Sequence, residues 1–262
     1  MHMQQLAYSA RAEQAIEIPL PGTDLHINAL LRGKWGQPLV IVVHGIPGAS
    51  DNVLPFLGAK YFTQHHFATL RINLYDWLPG TRNLVDCTLQ THADDFDAVV
   101  AHARAQGATQ IFAAGHSYGG LTILRSTRAL QGAVLWDPSD FAQSVQYDKD
   151  NRPWTNTQGV AIYNEGAGYL IPEAVIAERE TMAQQGRAWM AKEYPTLFVV
   201  AGKGPLVPYI TKVQAVSASS AKFMTIDEAT HGFLDSDKIL FELYSSSLKW
   251  LQYCQERGGR NG

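Results

Sequence analysis

Short apolar runs that favour β-strands alternate along this chain with segments of helical periodicity. The apolar runs lie at 38–43, 67–74, 109–114, 132–136, 195–201 and 221–226, and helical patterns lie at 53–65, 91–105, 118–130, 207–217 and 240–255. A continuous apolar run is typical of a strand buried on both faces. We therefore predict an α/β fold with a mostly parallel central sheet and helices on both faces, preceded by an antiparallel pair at 15–20 and 25–31.

One stretch interrupts this alternation after the sixth predicted strand. Residues 139–168 are polar and rich in turn residues, and a helical pattern follows over 173–191. The stretch has too few periodic apolar residues to form a core of its own. We predict a single domain over 1–262, with a small cap-like insertion at about 139–191.

Charge and composition exclude several classes of protein. The formal net charge is −3 and no basic run is present, which argues against a nucleic-acid partner. No apolar stretch is long enough to span a bilayer, and the first residues lack the apolar segment of a signal peptide. We therefore expect a cytoplasmic protein, whose oligomeric state the sequence leaves open. Cys87 and Cys254 are expected to be free thiols without a catalytic role.

The strongest chemical signal is the sequence GHSYGG at 115–120. It matches the pattern G-x-S-x-G, follows the predicted strand 109–114 and opens a predicted helix. A serine in this context lies on a tight strand-to-helix turn with its hydroxyl clear of the sheet. The five-residue pattern occurs by chance in many proteins, but its place between strand and helix favours Ser117 as a nucleophile.

A second signal is HGIPG at 44–48, directly after the strand at 38–43. A serine nucleophile forms a tetrahedral intermediate, whose oxygen needs two backbone N–H donors. Tyr118, the residue after the serine, supplies one candidate, and Ile46 supplies the other because Pro47 has no N–H. Taken without the serine, the two glycines of this segment could equally shape a strand-to-loop turn.

A base is needed to take the proton of the serine, and nine histidines are available. His231 follows the last predicted strand and precedes a glycine, so a loop can carry it to the edge of the sheet. The chain order of serine before histidine also fits this chemistry. The other positions considered lie in the first hairpin, on helices or next to the serine: His26, His65, His66, His92, His102 and His116.

From about residue 15 to 255, the sequence resembles the serine hydrolases of the α/β-hydrolase fold. The resemblance is strongest to small esterases and lipases that carry the GHSYGG strand-to-helix turn, called the nucleophile elbow, and an HG-x-x-G loop. The resemblance implies hydrolysis of a small carboxylic ester through an acyl-enzyme on Ser117, with no cofactor. No metal-ligand spacing, Walker loop or dinucleotide fingerprint is present. The alternatives are cleavage of a thioester or peptide, or a non-catalytic ligand-binding protein that has kept the fold.

The acid departs from the pattern of the family. Its usual position follows the penultimate strand in a segment similar to G-x-x-D-x-x-V-P, and here 201–208 carries Gly204 at that position. Pancreatic-type lipases place the acid at the end of the preceding strand, which implies Asp137 in LWDPSD at 135–140. Asp137 could instead start a turn, because aspartate before proline is common there. Further candidates are Asp140, Asp227 and Glu228.

Overall fold

The computed structural model describes residues 13–139, 154–157, 160–165, 167–204 and 207–258. The strands are β1 (Gln14–Pro19), β2 (His26–Arg32), β3 (Leu39–Val43), β4 (Ala68–Ile72), β5 (Ile111–His116), β6 (Gly132–Trp136), β7 (Trp154–Thr157), β8 (Val160–Glu165), β9 (Ala167–Pro172), β10 (Thr196–Ala201) and β11 (Ala221–Ile226). The α-helices are α1 (Val53–Gln64), α2 (Leu89–Ala105), α3 (Tyr118–Arg125), α4 (Glu173–Gln185), α5 (Ile210–Val216) and α6 (Asp237–Gly258).

The main sheet has eight strands in the order β1-β2-β4-β3-β5-β6-β10-β11. Strand β2 pairs antiparallel with β1 and β4, and the remaining pairs are parallel. The fold class predicted from the alternation of strands and helices is therefore confirmed. The six sheet strands after the hairpin lie within or next to the apolar runs that predicted them.

Helices cover both faces of the sheet, and the central strands are therefore buried on both sides. Along β3, Leu39, Ile41 and Val43 join one core cluster, and Val40 and Val42 join the other. This two-residue alternation is the pleat of a strand. Helices α2, α3 and α4 contribute buried side chains to the first cluster, whereas α1 and α6 contribute to the second.

Several helix ends differ from the predicted ones: α4 ends at Gln185, not at 191, α5 begins at Ile210, not at 207, and α6 spans Asp237–Gly258, not 240–255. Side-chain hydrogen bonds explain two further differences. Helix α2 begins at Leu89, not at 91, because Thr88 is its N-cap and exchanges side-chain bonds with Thr91 in a capping box. Helix α3 ends at Arg125, not at 130. The carboxylate of Asp97 accepts hydrogen bonds from the hydroxyls of the two residues that follow, which fixes that segment outside the helix.

The described part of the predicted insertion contains more regular structure than the sequence indicated. Strands β7, β8 and β9 form a small antiparallel sheet, and α4 follows them. On α4, the Glu178 carboxylate accepts the backbone N–H groups of Leu89 and Gln90 at the start of α2. Val175 and Met182 of α4 are buried in the core cluster that includes α2. Residues 140–153 lie outside the described part, and the single-domain organisation stays a prediction.

Among the helices within the described residues, none has both the length and the apolar character needed to cross a membrane.

Candidate active site

Ser117 lies at the sharp turn between β5 and α3. Its backbone has φ 54° and ψ −118°, a combination that a residue with a side chain seldom adopts. The N–H of Ser117 donates to the carbonyl of Trp136 at 3.0 Å, and its carbonyl accepts the N–H of Gly120 at 3.0 Å. A Cβ at Gly119 would overlap the carbonyl oxygens of Val43 and His44. The glycine therefore lets α3 start directly against the end of β3, which holds the turn in place.

A continuous chain of hydrogen bonds joins Ser117, His231 and Asp137. Nε2 of His231 lies 2.9 Å from Oγ of Ser117, and its Nδ1 lies 2.6 Å from Oδ2 of Asp137. With Asp137 ionised, Nδ1 carries the proton and donates it to the carboxylate, which leaves Nε2 to accept the hydroxyl proton of Ser117. The structure thus brings the predicted serine, base and acid together in an order that can move a proton from the serine.

Asp137 is fully buried, and the main chain of β10 holds it. Its N–H donates to the carbonyl of Val199 at 2.7 Å, and its Oδ1 accepts the N–H of Ala201 at 3.1 Å. A Cβ built on Gly204 would lie only 2.4 Å from Oδ2 of Asp137. Gly204 therefore borders the space that the Asp137 carboxylate fills, and a side chain there has no room while Asp137 is present.

The alternative acids do not reach His231 in the part of the chain that the structure describes. Glu228 is exposed and pairs with Lys203 at 2.7 Å, and Asp227 is exposed on the same turn. Asp140 lies outside the described residues. The pairing with Lys203 holds the pKa of Glu228 below its ordinary value, so this carboxylate is already engaged at the surface.

The loop that carries His231 is fastened at both sides of the histidine. The carboxylate of Asp235 accepts the N–H of Thr230 at 2.9 Å and its hydroxyl at 2.8 Å, which lowers the pKa of Asp235. Phe233 is fully buried in the core cluster beneath α6, with φ 53°. An anchored apolar ring and an exposed carboxylate therefore fix the loop and limit the positions of the imidazole.

His116 contacts His231, although the sequence offered no reason to connect the two. Its Nε2 lies 2.8 Å from the carbonyl oxygen of His231, and the ring centroids are 4.8 Å apart. Burial, followed by the nearness of His231, lowers the pKa of His116 to about 3. The ring is therefore neutral at working pH, and Nε2 carries the proton that it donates to the carbonyl.

Buried side chains support the loop at 44–48 from below. Nδ1 of His44 donates to the carbonyl of Gly45 at 2.8 Å, and Nε2 accepts the N–H of Leu74 at 3.1 Å. Burial lowers the pKa of His44 to about 4, so this pattern of one donor and one acceptor persists at neutral pH. The hydroxyl of Tyr75 accepts the N–H of Gly48 at 2.7 Å. Both ends of the loop are therefore fixed.

The same loop lies against Ser117. A Cβ on Gly45 would lie 3.1 Å from Cβ of Ser117, so this glycine brings the loop close to the serine. Ile46, the next residue, is half-buried, and Tyr118 is the first residue of α3. The two residues predicted to supply oxyanion donors thus belong to segments that flank Ser117. Their role stays a prediction.

A second hydroxyl lies beside Ser117. Oγ of Ser139 is 3.0 Å from Oγ of Ser117, and the N–H of Ser139 donates to the carbonyl of Ser117 at 3.3 Å. Sequence analysis missed this residue, because a serine two positions after an aspartate matches no catalytic pattern. The only available signal was its nearness in sequence to Asp137.

The two cysteines do not take part in this arrangement. Cys87 and Cys254 are both free and buried, and burial raises the pKa of each thiol to about 12. Such thiols are protonated and therefore poor nucleophiles. Within the described residues, no group of three or more His, Cys, Asp or Glu side chains is placed to hold a metal ion.

Known proteins share this fold and part of this sequence. A model of the alpha/beta hydrolase family matches residues 40–242. Est1E from Butyrivibrio proteoclasticus, solved with bound ferulic acid, is 20% identical with a TM-score of 0.72, over 92% of this chain and 100% of that chain. Mouse alpha/beta hydrolase domain-containing protein 10 is 12% identical with a TM-score of 0.71, over 92% and 99% of the two chains.

A third similar structure is the dienelactone hydrolase from Anabaena variabilis ATCC 29413. It is 15% identical with a TM-score of 0.60, over 92% of this chain and 97% of that chain. No curated protein matches the chain. At these identities the solved structures show a shared fold and leave the substrate open.

Proposed function

The chain belongs to the alpha/beta hydrolase family, and we propose that it is a serine hydrolase that cleaves a carboxylic ester of a small molecule. The observation that carries this proposal is the hydrogen-bonded chain from Ser117 through His231 to Asp137, with distances of 2.9 and 2.6 Å. A buried carboxylate, an imidazole and a serine hydroxyl in this order are the parts that activate a serine for acyl transfer.

In the proposed reaction, Ser117 attacks the ester carbonyl while Nε2 of His231 takes the hydroxyl proton. The Asp137 carboxylate stabilises the imidazolium that forms and holds Nδ1 in its protonated state. The N–H groups of Ile46 and Tyr118 stabilise the oxyanion. His231 then protonates the leaving alcohol, and water releases the acid from Ser117 by the same steps in reverse.

One observation on a similar protein supports an ester, among the acyl compounds, as the substrate. The bound molecule in the similar Est1E structure is ferulic acid, a carboxylic acid of the kind that ester hydrolysis releases. The hydrogen-bonded chain itself is compatible with a thioester or a peptide bond, because it acts on the carbonyl whatever the leaving group. A substrate panel therefore decides between these bonds.

The first test is labelling with a fluorophosphonate, which reacts with an activated serine. We expect the wild-type protein to be labelled on Ser117, located by mass spectrometry, and Ser117→Ala to remain unlabelled while keeping its melting temperature. Hydrolysis should then be measured on p-nitrophenyl esters of increasing chain length, a feruloyl ester, a thioester and a peptide. A folded protein that is neither labelled nor active would refute the proposal and favour a ligand-binding protein.

A further inference from the structure

We propose that Ser139 is a further catalytic residue, whose hydroxyl donates a hydrogen bond to Oγ of Ser117 and promotes its departure from the acyl group. The inference rests on the proposed function, because it concerns the second half of the acyl-transfer reaction. It starts from the 3.0 Å distance between the two hydroxyl oxygens. The serine that reacts thus has two hydrogen-bonding neighbours, His231 and Ser139.

The main chain fixes Ser139 beside Ser117. Asp137 is bonded through its N–H to Val199 at 2.7 Å, and the N–H of Ser139 donates to the carbonyl of Ser117 at 3.3 Å. Between them, Pro138 packs against Gly120, where an added Cβ would lie 2.8 Å from the Cβ of the proline. The three-residue segment after β6 therefore supplies a carboxylate to His231 and a hydroxyl to Ser117.

Counting protons sets the direction of the new hydrogen bond. Nδ1 of His231 donates to Asp137, so Nε2 accepts, and the hydroxyl proton of Ser117 is used in that contact. Oγ of Ser117 then has only lone pairs to offer to Ser139. In the resting enzyme the hydroxyl of Ser139 is therefore the donor.

This donor has unequal effects on the two halves of the reaction. Before acylation Oγ of Ser117 is a hydroxyl oxygen that already accepts this bond, so the bond stabilises the ground state as well as the transition state. In the acyl-enzyme the same atom is an ester oxygen, a weaker acceptor, so the bond forms fully only as Oγ departs. During deacylation a water molecule gives its proton to Nε2 of His231 and its oxygen to the acyl carbon. The bond from that carbon to Oγ of Ser117 then breaks, and Oγ keeps the electron pair and receives the proton from His231.

As this bond breaks, the negative charge on Oγ of Ser117 increases until the proton arrives from His231. A hydrogen bond to a charged acceptor is stronger than one to a neutral acceptor, so the bond from Ser139 strengthens as the transition state forms. Interactions that are stronger in the transition state than before it raise the rate. Ser139 is therefore expected to favour deacylation over acylation.

The test is pre-steady-state hydrolysis of a p-nitrophenyl ester by Ser139→Ala. Release of p-nitrophenol reports acylation as a burst, and the slow phase reports deacylation. Loss of a hydrogen bond to a charged group corresponds to about a 10- to 100-fold slower deacylation. The acylation rate is expected to stay within about threefold, so that kcat and KM fall together. Ser139→Thr keeps the hydroxyl and should restore deacylation.

A purely structural role would give another result. If both phases slowed in parallel, or if deacylation stayed within about threefold of wild type, the inference would be overturned. If Ser139→Ala does not fold, Ser139→Cys keeps a side chain of similar size with a weaker donor and should show the same slow deacylation. A wild-type protein with neither burst nor turnover would instead overturn the proposed function.

Ser126→Ala is the matched control. Ser126 follows the last residue of α3, at the opposite end from Ser117, and its hydroxyl donates to Asp97. This variant removes a buried serine hydroxyl from the far end of α3 and is expected to lower stability. Its burst amplitude and deacylation rate should equal those of the wild type.

Discussion

Moving the carboxylate from position 137 to position 204 is expected to restore part of the activity that Asp137→Gly loses, although a single change at either position lowers activity. A Cβ on Gly204 would lie 2.4 Å from Oδ2 of Asp137. Covalent bonds of about 1.5 and 1.2 Å place a carboxylate oxygen about 2.4 Å from its own Cβ. An aspartate at position 204 can therefore reach the point where His231 finds its partner oxygen, provided that the side chain of Asp137 is gone.

The backbone allows this exchange. Asp137 has φ 41°, in the left-handed region where glycine is most stable, so Asp137→Gly is the suitable replacement. Gly204 is not among the glycines with positive φ, so its backbone conformation suits an aspartate. A Cβ there would also lie 2.9 Å from Cβ and 3.0 Å from the carbonyl oxygen of Ala201, so Ala201 has to shift by about 0.1 Å or more to admit it. In Asp137→Asn the amide still occupies the same space, so this variant is the wrong background for Gly204→Asp.

The structure also sets the size of the single effects. In Gly204→Ala, Oδ2 of Asp137 has to retreat about 0.6 Å to reach the 3.0 Å that real Cβ contacts respect. Its 2.6 Å bond to Nδ1 of His231 then stretches by up to the same amount, to at most about 3.2 Å, the limit for such bonds. We expect about a 10- to 100-fold loss of kcat. Asp137→Gly removes the acid and should cost up to about ten-thousand-fold.

The assay is ester turnover by wild type, Gly204→Ala, Asp137→Gly and the double variant Asp137→Gly/Gly204→Asp, each checked by its melting temperature. The double variant should recover at least about tenfold over Asp137→Gly. Gly36→Ala is the control, because nothing lies within 4 Å of a Cβ at Gly36. A folded double variant as inactive as Asp137→Gly, or a fully active Gly204→Ala, would refute the shared oxygen position.

The other predictions concern four histidines. His231→Ala should lower kcat as much as Ser117→Ala does, and the double variant Ser117→Ala/His231→Ala should be little worse. His116→Ala should lower kcat about tenfold, because it removes the hydrogen bond to the carbonyl of His231. The unfolding free energy should fall by up to about 3 kcal/mol between pH 6.5 and 4 on account of His44, whose lowered pKa lets the unfolded chain bind a proton that the folded ring does not. His92 is buried, and neither of its ring nitrogens has a hydrogen-bond partner in the described chain; burial lowers its pKa, so it adds a loss of the same sign. His92→Phe should therefore lessen the difference between the unfolding free energies at pH 8 and pH 5, measured by chemical denaturation.

The central sheet was predictable because burial on both faces leaves continuous apolar runs in the sequence. Strands β3, β5, β6 and β10 are buried at nearly every position, and no amphipathic pattern competes with that signal. Strands β7, β8 and β9 were not predicted, since their segments of four to six residues mix aliphatic, aromatic and polar residues without a clear period. Side-chain hydrogen bonds determine where α2 begins and where α3 ends, and hydrophobic periodicity does not record them.

Within the site, the residues that could be predicted are those whose proposed role requires a particular local backbone geometry. Ser117 needs a particular strand-to-helix turn, and that need leaves glycines at fixed spacings around it. Ser139 and His116 contact distant segments, at Oγ of Ser117 and at the carbonyl of His231. No local pattern records such contacts, so sequence reasoning missed the first and set the second aside.

Asp137, the proposed acid, was predicted only as one of several candidates, and the geometry of the sheet explains why. Strands β6 and β10 are parallel neighbours, with Trp136 opposite Val199, so their carboxyl ends lie about 4.8 Å apart. The imidazole requires an oxygen at one point, and it does not distinguish which of two adjacent strand ends provides the carbon chain. An aspartate on one end occupies the volume that a side chain on the other would need, which requires glycine there. The informative signal is therefore the pair of Asp137 and Gly204, a carboxylate on one strand end with a glycine on its neighbour.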